Sequence, residues 1–463
     1  MRRGTIAVAA VLAALAPTVV RAQQTDIAAT YRTAADRLID RALRDSAAYE
    51  RISELVDRFG ARFSGTPELE RAIDWILAEM RKDGLANVRG EPVMVPRWVR
   101  GAESLALMEP RPKKMAMLGL GGSVATPAGG ITAEALVVGS FDELRAKAAQ
   151  AEGRIVVYDV PFTNYGETVA YRTTGAIEAS KAGAVASLVR SVTPYSQQTP
   201  HTGAMRYDPA VRSIPHAAIT VEDTELLRRM QERGQRIVLH LEMNAQTLPD
   251  VQSRNVVAEL RGRELPDEIV VFGGHIDSWD VGQGAMDDAG GVVVAWEALR
   301  LMKELGLQPR RTIRVVGWTN EENGTRGGTG YRDAHRADVD KHVLAIESDA
   351  GVFKPNGFSF TGSDAAYATL QQVAKLLDRI GAGGMTRGGG GADIGPIMEL
   401  GVPGMGLDVD ETKYFWYHHT EADTIDKLDP REVALCVATM AVMAYIIADM
   451  PERLPRAAGA APR

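Results

Sequence analysis

The chain has 463 residues, 45% hydrophobic and 24% charged, an ordinary globular balance that excludes disorder, collagen-like repetition and a coiled-coil rod. A formal charge of −7 without any long basic run argues against a nucleic-acid partner. The length predicts about two or three domains with ample core, and a lone Cys436 leaves no internal disulfide.

The chain opens with Met1-Arg2-Arg3, continues with Thr5 to Val20, apolar apart from small residues, and reaches a small-residue cleavage pattern at Val20-Arg21-Ala22. Residues 1–22 therefore read as a secretory signal peptide, and the protein is expected to be secreted or periplasmic. The apolar span covers 16 residues, short of the roughly 20 a bilayer requires, so no stable membrane span is expected in the mature chain. Processing removes Arg2, Arg3 and Arg21; 53 − 3 = 50 basic residues against 60 acids make the mature charge −10.

Two amphipathic helices are expected to open the mature protein. Thr66-Pro67-Glu68 offers an N-cap, a proline at the first helical position and an early acid ahead of apolar Ile73, Ile76, Leu77 and Met80. From Gly119 to Gly130 no period is sustained, and short strands follow at Ala135–Val138, Ile155–Val160 and Ile237–Leu241. Residues 108–243 read as a smaller α+β domain inserted into a larger one made of 23–107 and 244–454.

After Ser253 the apolar runs Ile269–Phe272, Ile313–Val316 and Val343–Ile346 alternate with amphipathic segments, Gly290–Leu305 before Gly306 and Ala365–Ile380 before Gly381. Near-continuous apolar strands separated by helices predict an α/β fold with a largely parallel sheet covered on both faces. The apolar stretch Val433–Ala448 reads as a helix buried against that sheet, and the tail 455–463 as disordered.

The residues that follow each strand carry the chemistry, because ligands of such sheets bind beyond the carboxyl ends of the strands. Ile269–Phe272 leads to Gly273-Gly274-His275-Ile276-Asp277 and then to Met286-Asp287-Asp288. Ile313–Val316 leads to Asn320-Glu321-Glu322, Val343–Ile346 to Glu347-Ser348-Asp349, and Tyr417-His418-His419 stands near the end. Each piece alone is weak: a strand-end histidine is usually packed, a Glu-Glu pair solvated, an Asp-Asp pair an N-cap. Together they place carboxylates at one sheet edge, where they would repel unless cations neutralise them, and three of the chain's eight histidines belong to the set. Imidazole mixed with carboxylate suits Zn²⁺, or Mn²⁺ and Co²⁺, rather than the all-oxygen ions. Five such ligands exceed one open catalytic zinc and suit two ions sharing a carboxylate.

This linked set resembles the co-catalytic di-zinc exopeptidases, the family of aminopeptidase Y and the bacterial secreted aminopeptidases, over essentially the whole mature chain. The resemblance implies a three-layer zinc-exopeptidase fold (phosphorylase/hydrolase-like) with a mostly parallel central sheet, and a protease-associated-like lid at 108–243. It implies two Zn²⁺ per chain bridged by Asp287, one also held by His275 and Asp349, the other by Glu322 and His419. Glu321 would be the general base, passing the proton of a metal-activated water to the leaving amine, and Asp277 would accept the second N–H of His275. His418 and His419 are expected to point apart, as neighbours on an extended segment do, leaving His418 to stabilise the oxyanion. Asp393, after the glycines Gly388 to Gly391, is expected at most behind the ligands or against substrate.

The activity implied is hydrolysis of short unblocked peptides, dipeptides first (a dipeptidase or carboxypeptidase) and, as the alternative, aminopeptidase action on longer peptides. Two other classes stay open at this level: a single-zinc glutaminyl cyclase and an inert binding scaffold. A homodimer is also what the resemblance suggests.

Overall fold

The computed structural model describes residues 26–456; the expected signal peptide and residues 457–463 of the tail lie outside the described residues. Helices Ile27–Ala42, Ala47–Phe59 and Pro67–Lys82 lead into strand β1, Ala86–Val99. Thr66 caps the third helix by accepting from the Leu69 N–H. Eight strands of a second sheet follow: β2 Glu103–Glu109, β3 Lys113–Met115, β4 Met117–Gly119, β5 Ile131–Val138, β6 Ile155–Tyr158, β7 Ala186–Arg190, β8 His216–Ile219 and β9 Val238–Met243. The chain then returns to the first sheet with β10 Gln246–Leu260, β11 Leu265–His275, β12 Arg311–Trp318, β13 His342–Glu347, β14 Pro355–Thr361, β15 Gly384–Arg387 and β16 Gly404–Val409.

The first sheet runs β1-β10-β12-β11-β13-β16-β14-β15. Its centre, β12-β11-β13-β16, is parallel, while β1, β10 and β14 join antiparallel. The apolar runs are continuous because both faces are covered. Val270 and Phe272 of β11, Ile313 and Val315 of β12, and Leu344 and Ile346 of β13 pack in one core. Their alternate neighbours Ile269, Val271, Val316 and Ala345 pack in another. Helix Gly290–Glu304, apolar on nearly all sides, and helix Pro430–Asp449 belong to the first core; Tyr331 of helix Arg326–Ala334 belongs to the second. Pro430–Asp449 is long and apolar enough to cross a membrane, but 83% of that apolar window is buried inside the molecule. Its Cys436 is buried there and donates to the Phe353 carbonyl.

The segment expected as one helix over 365–380 is α-helical only at Asp364–Ala374 and tightens to a 3₁₀ turn at Lys375–Ile380, closed by Gly381 at φ +76°.

The second sheet, β3-β2-β9-β5-β6-β7-β8-β4, repeats the double burial in miniature. Val137, Val157, Leu188 and Ala217 face one core; Leu136, Val156, Val189 and Ala218 face the other. The boundary expected near 108 falls inside β2, which pairs antiparallel with β9 from Glu103 to Glu109. Outgoing and returning strands thus leave the second sheet side by side, and composition gives no signal for that pairing.

Candidate metal centre

Parallel pairing brings the predicted residues to one edge. His275 lies opposite Trp318 at the ends of β11 and β12, and Gly273 lies opposite Glu347 at the end of β13. The loops that follow deliver Asp287, Glu321, Glu322 and Asp349. His418 and His419 arrive from the turn after the short helix Tyr414–Tyr417.

Two triads of ligand atoms share one carboxylate. His275 Nε2 lies 3.1 Å from Asp287 Oδ1 and 3.2 Å from Asp349 Oδ1. His419 Nε2 lies 3.0 Å from Glu322 Oε2 and 3.4 Å from Asp287 Oδ2. Asp287 Oδ2 and Glu322 Oε1 are buried with no hydrogen-bond partner, which is costly unless a cation takes them. One nitrogen and two carboxylates on each side of Asp287 fit a pair of zinc-type ions.

The five candidate ligands are set by surrounding residues. Asp423 accepts the N–H groups of Ala285, Met286 and Asp287 at 3.1, 2.8 and 3.1 Å, which fixes the loop carrying the shared carboxylate. Asp288 accepts from the N–H of His275 at 3.0 Å and of Gly291 at 2.9 Å, tying strand end to helix start. That wedge leaves no room beside it: a Cβ at Gly274 would lie 2.2 Å from its carboxylate. Arg62, fully buried, donates to the carbonyls of Ile276, Gln283 and Gly284 and holds the same loops together. Glu347 accepts the Ile394 N–H at 2.8 Å and the Asp393 N–H at 3.3 Å, so Asp393 sits buried behind the site rather than at its mouth.

Two expectations are corrected. The acceptor of the second His275 nitrogen is the main-chain oxygen of Asp277, 2.9 Å from Nδ1, while the nearer Asp277 carboxylate oxygen is 3.8 Å away. That carboxylate accepts instead from the N–H of Glu321 at 3.1 Å and from Ser64 at 3.2 Å, and so shapes the Glu-Glu turn. The geometric reason is that Asp277 lies past the strand end, where the chain turns its carbonyl toward the ring. Nor do His418 and His419 point apart. Their rings stack at 3.5 Å and 22°, because His419 takes φ +60° and the segment is not extended. His418 Nε2 then lies 3.6 Å from Asp287 Oδ2, farther than that of His419.

Crowded acids and buried imidazoles shift one another. Burial, reinforced by Asp349 and Asp277, raises Glu321 well above the usual carboxylate range; part of its surface opens onto a cavity, but protein crowds the rest. Burial raises Glu322 likewise, with Asp287 adding to it. Burial also pushes Glu347 and Asp423 up to about 7. Burial depresses His419 to about 3. For His275 burial is outweighed by Asp349 and by the contact with Asp287, and its affinity for a proton rises. Such a set binds protons or metal, and little else, with comfort.

The cavity measures about 350 Å³, and Tyr165, Arg172, Glu411, Tyr414 and Phe415 line it together with the ligands. Tyr165 and Arg172 come from the second-sheet segment, as does Thr202, whose N–H donates to the His419 carbonyl at 3.0 Å and whose carbonyl lies 3.3 Å from His419 Nδ1. The reading of the sequence missed Arg62, Asp288, Asp423, Tyr165, Arg172 and Thr202. Asp288 stood inside a motif already singled out and Asp423 lies four residues beyond His419; the others carry no local signal.

Fold and site together define a metallo-exopeptidase, a hydrolase. Residues 255–444 match the model of peptidase family M28. The chain is 49% identical to carboxypeptidase Q of Mus musculus over 431 residues, 92% of either chain, and 49% identical to that of Homo sapiens over 409 residues, 88% and 87% of the two. Among solved structures it is similar to a peptidase M28 precursor from Shewanella amazonensis, with a TM-score of 0.89 and 34% identity across 94% of this chain and all of that one. A zinc aminopeptidase from Bacillus subtilis shares the fold at a TM-score of 0.66 and 22% identity, over 88% and 96% of the two chains. The chain belongs to peptidase family M28.

Proposed function

We propose that this protein is an exported di-zinc exopeptidase that hydrolyses short unblocked peptides, dipeptides first. The observation that carries the reading is the pair of ligand triads meeting at Asp287, with two buried oxygens unpartnered. His275, Asp349 and Asp287 Oδ1 would hold one ion; Glu322, His419 and Asp287 Oδ2 the other. When bound, the ions supply Lewis-acid polarisation of the peptide carbonyl and acidify water. Mn²⁺ or Co²⁺ would suit the same donors.

Glu321 takes a proton from the attacking water and returns it to the leaving nitrogen, a task that a carboxylate raised by burial performs near neutral pH. Its placement follows from Asp277, which holds the Glu321 N–H and leaves the side chain to the cavity. His418 donates an imidazole N–H to the oxygen that gains charge; burial keeps it neutral, with the neighbouring His419 adding to the effect. The second-sheet segment acts as a lid that roofs the cavity at Tyr165 and Arg172 and steadies His419 through Thr202. A cavity of 350 Å³ favours a dipeptide over a long chain. Export through residues 1–22 rests on the basic start, the apolar span and the small-residue cleavage pattern.

The histidine assignment gives a clean pair of outcomes. His419→Ala is expected to lose one of two zinc ions per chain by metal analysis, whereas His418→Ala keeps both and loses kcat by about 10²-fold. Equal metal loss in both variants would make His418 a ligand. The substrate class is tested with zinc on one dipeptide, its N-acetyl form and its C-amide. Cleavage of the free dipeptide alone supports the proposal, and cleavage of the amide as well makes the protein an aminopeptidase. Failure on all three with metal bound moves the cyclase and scaffold readings ahead.

A further inference from the structure

Five acids line the cavity: Asp287, Glu321, Glu322, Asp349 and Glu411. The first four have tasks in the reading above, as ion ligands and base. Glu411 has none. It opens the short turn Glu411–Lys413 after β16, directly before Tyr414 and Phe415, which line the same cavity. Its neighbour Asp410 is occupied elsewhere, accepting the Thr412 N–H at 3.0 Å and lying close to Lys354 and Lys413. Glu411 itself is exposed, which places it where the cavity opens, and no cationic side chain pairs with it among the described residues. Partial burial of its carboxyl, and then the charge of Asp408, raises it above the ordinary value, so a cation beside it would be welcome. The single arginine of the wall, Arg172, stands on the lid side, where it donates to the Tyr165 hydroxyl at 2.7 Å, and no acidic side chain pairs with it among the described residues.

We propose that Glu411 selects substrates that carry a basic side chain, lysine or arginine; the inference deepens the exopeptidase reading above and rests on it. Two divalent ions would match Asp287, Glu321, Glu322 and Asp349 charge for charge, which leaves Glu411 as the anion of the cavity without a task. A lysine or arginine side chain is a flexible apolar stem that ends in a cation. Glu411, Tyr414 and Phe415 offer the complement: ring surface for the stem, a carboxylate for the head, and the attraction of a cation for ring faces in addition. The rings are set in advance. Tyr414 and Phe415 meet edge-on at 5.1 Å and 89°, forming a corner, and Tyr165 of the lid segment stacks on Phe415 at 5.2 Å and 20°. An α-ammonium is tied close to the scissile carbonyl and stays beside the ions, whereas the opening of the cavity is reached by a long side chain. A neutral side chain there covers the carboxylate without compensation and an acidic one is repelled, so the selection works by the sign of the charge.

The test measures kcat/KM of the zinc-loaded full chain for Lys-Ala and Ala-Lys, each beside its norleucine counterpart, which keeps the stem and lacks the charge. At one of these positions the lysine peptide is expected to lead its counterpart by about fivefold to tenfold, and the lead should shrink with added salt. Glu411→Gln should bring that ratio to about one, and Glu411→Lys should take it below one; a merely structural role would change both members of a pair together. Calorimetric titration of the same peptides onto Glu321→Gln protein, with and without Glu411→Gln, reads binding apart from turnover. If the parent cleaves nothing but the titration still prefers lysine through Glu411, the activity reading fails and this inference stands. It is overturned by the absence of a lysine lead at both positions or by a lead that Glu411→Gln leaves intact. Equal weakening of lysine and norleucine peptides also overturns it, and would put Glu411 at the substrate's amino group or in the scaffold.

Discussion

Replacing Glu321 by glutamine is expected to lower kcat on a dipeptide by about 10³-fold while zinc content stays at that of the unmodified protein. The two effects separate because Glu321 is outside both convergent triads. Glutamine keeps the size and the main-chain hydrogen bond to Asp277 but cannot take a proton. The same change removes one of the crowded acids, so the metal-free variant should resist urea better than the metal-free parent at pH 8. A Glu321→Gln protein retaining more than a tenth of the parent kcat would assign the base elsewhere.

Removing the metal should turn the centre into a source of instability that grows with pH. Glu347 and Asp423 titrate near 7 in the folded chain, because burial opposes their ionisation, against about 4 in an unfolded one. Burial raises Glu321 and Glu322 in the same direction. The folded state then binds protons that the unfolded state has released, so stability falls as pH rises through the folded values. His275, raised above its ordinary value, works in the same direction beyond about pH 6.5. His201, His216, His342, His418 and His419, all depressed by burial, work the opposite way. Their stabilisation is present above the unfolded value of about 6.5 and is lost only below it. The window free of that opposition thus opens at about pH 6.5 and extends upward until the raised acids have ionised, and within it each excess proton costs about 1.4 kcal/mol per pH unit. Urea midpoints of chelator-treated protein should fall across this window, and those of zinc-loaded protein should not, since bound cations neutralise the same carboxylates. A flat or rising metal-free profile would mean that the carboxylates are not held together as described.

Much of the centre was legible in order along the chain. Apolar strands of continuous rather than alternating character can only be buried on both faces, so β11, β12 and β13 announced a parallel sheet, and parallel strands send whatever follows them to one edge. His275, Asp287, Glu321, Glu322 and Asp349 were therefore placed by position after a strand, without any knowledge of distance. The chemistry of mixed imidazole and carboxylate then pointed to metal.

Contacts between segments distant in sequence were decided by the tertiary structure alone. Whether two neighbouring histidines diverge or stack depends on one backbone angle, and His419 sits at a positive φ that residue identity does not impose. The carbonyl rather than the carboxylate of Asp277 meets His275 because the strand ends where it does. Arg172 reaches the cavity from a helix of another sheet, more than a hundred residues before the first ligand, and its missing counterion is visible only once its neighbours are in place. Local periodicity reports which face of an element is dry and what stands at its end. It carries no information on which distant backbone supplies a partner, because that is settled where the second-sheet segment meets the loops of the first, as Thr202 meets His419 and Tyr165 meets Phe415.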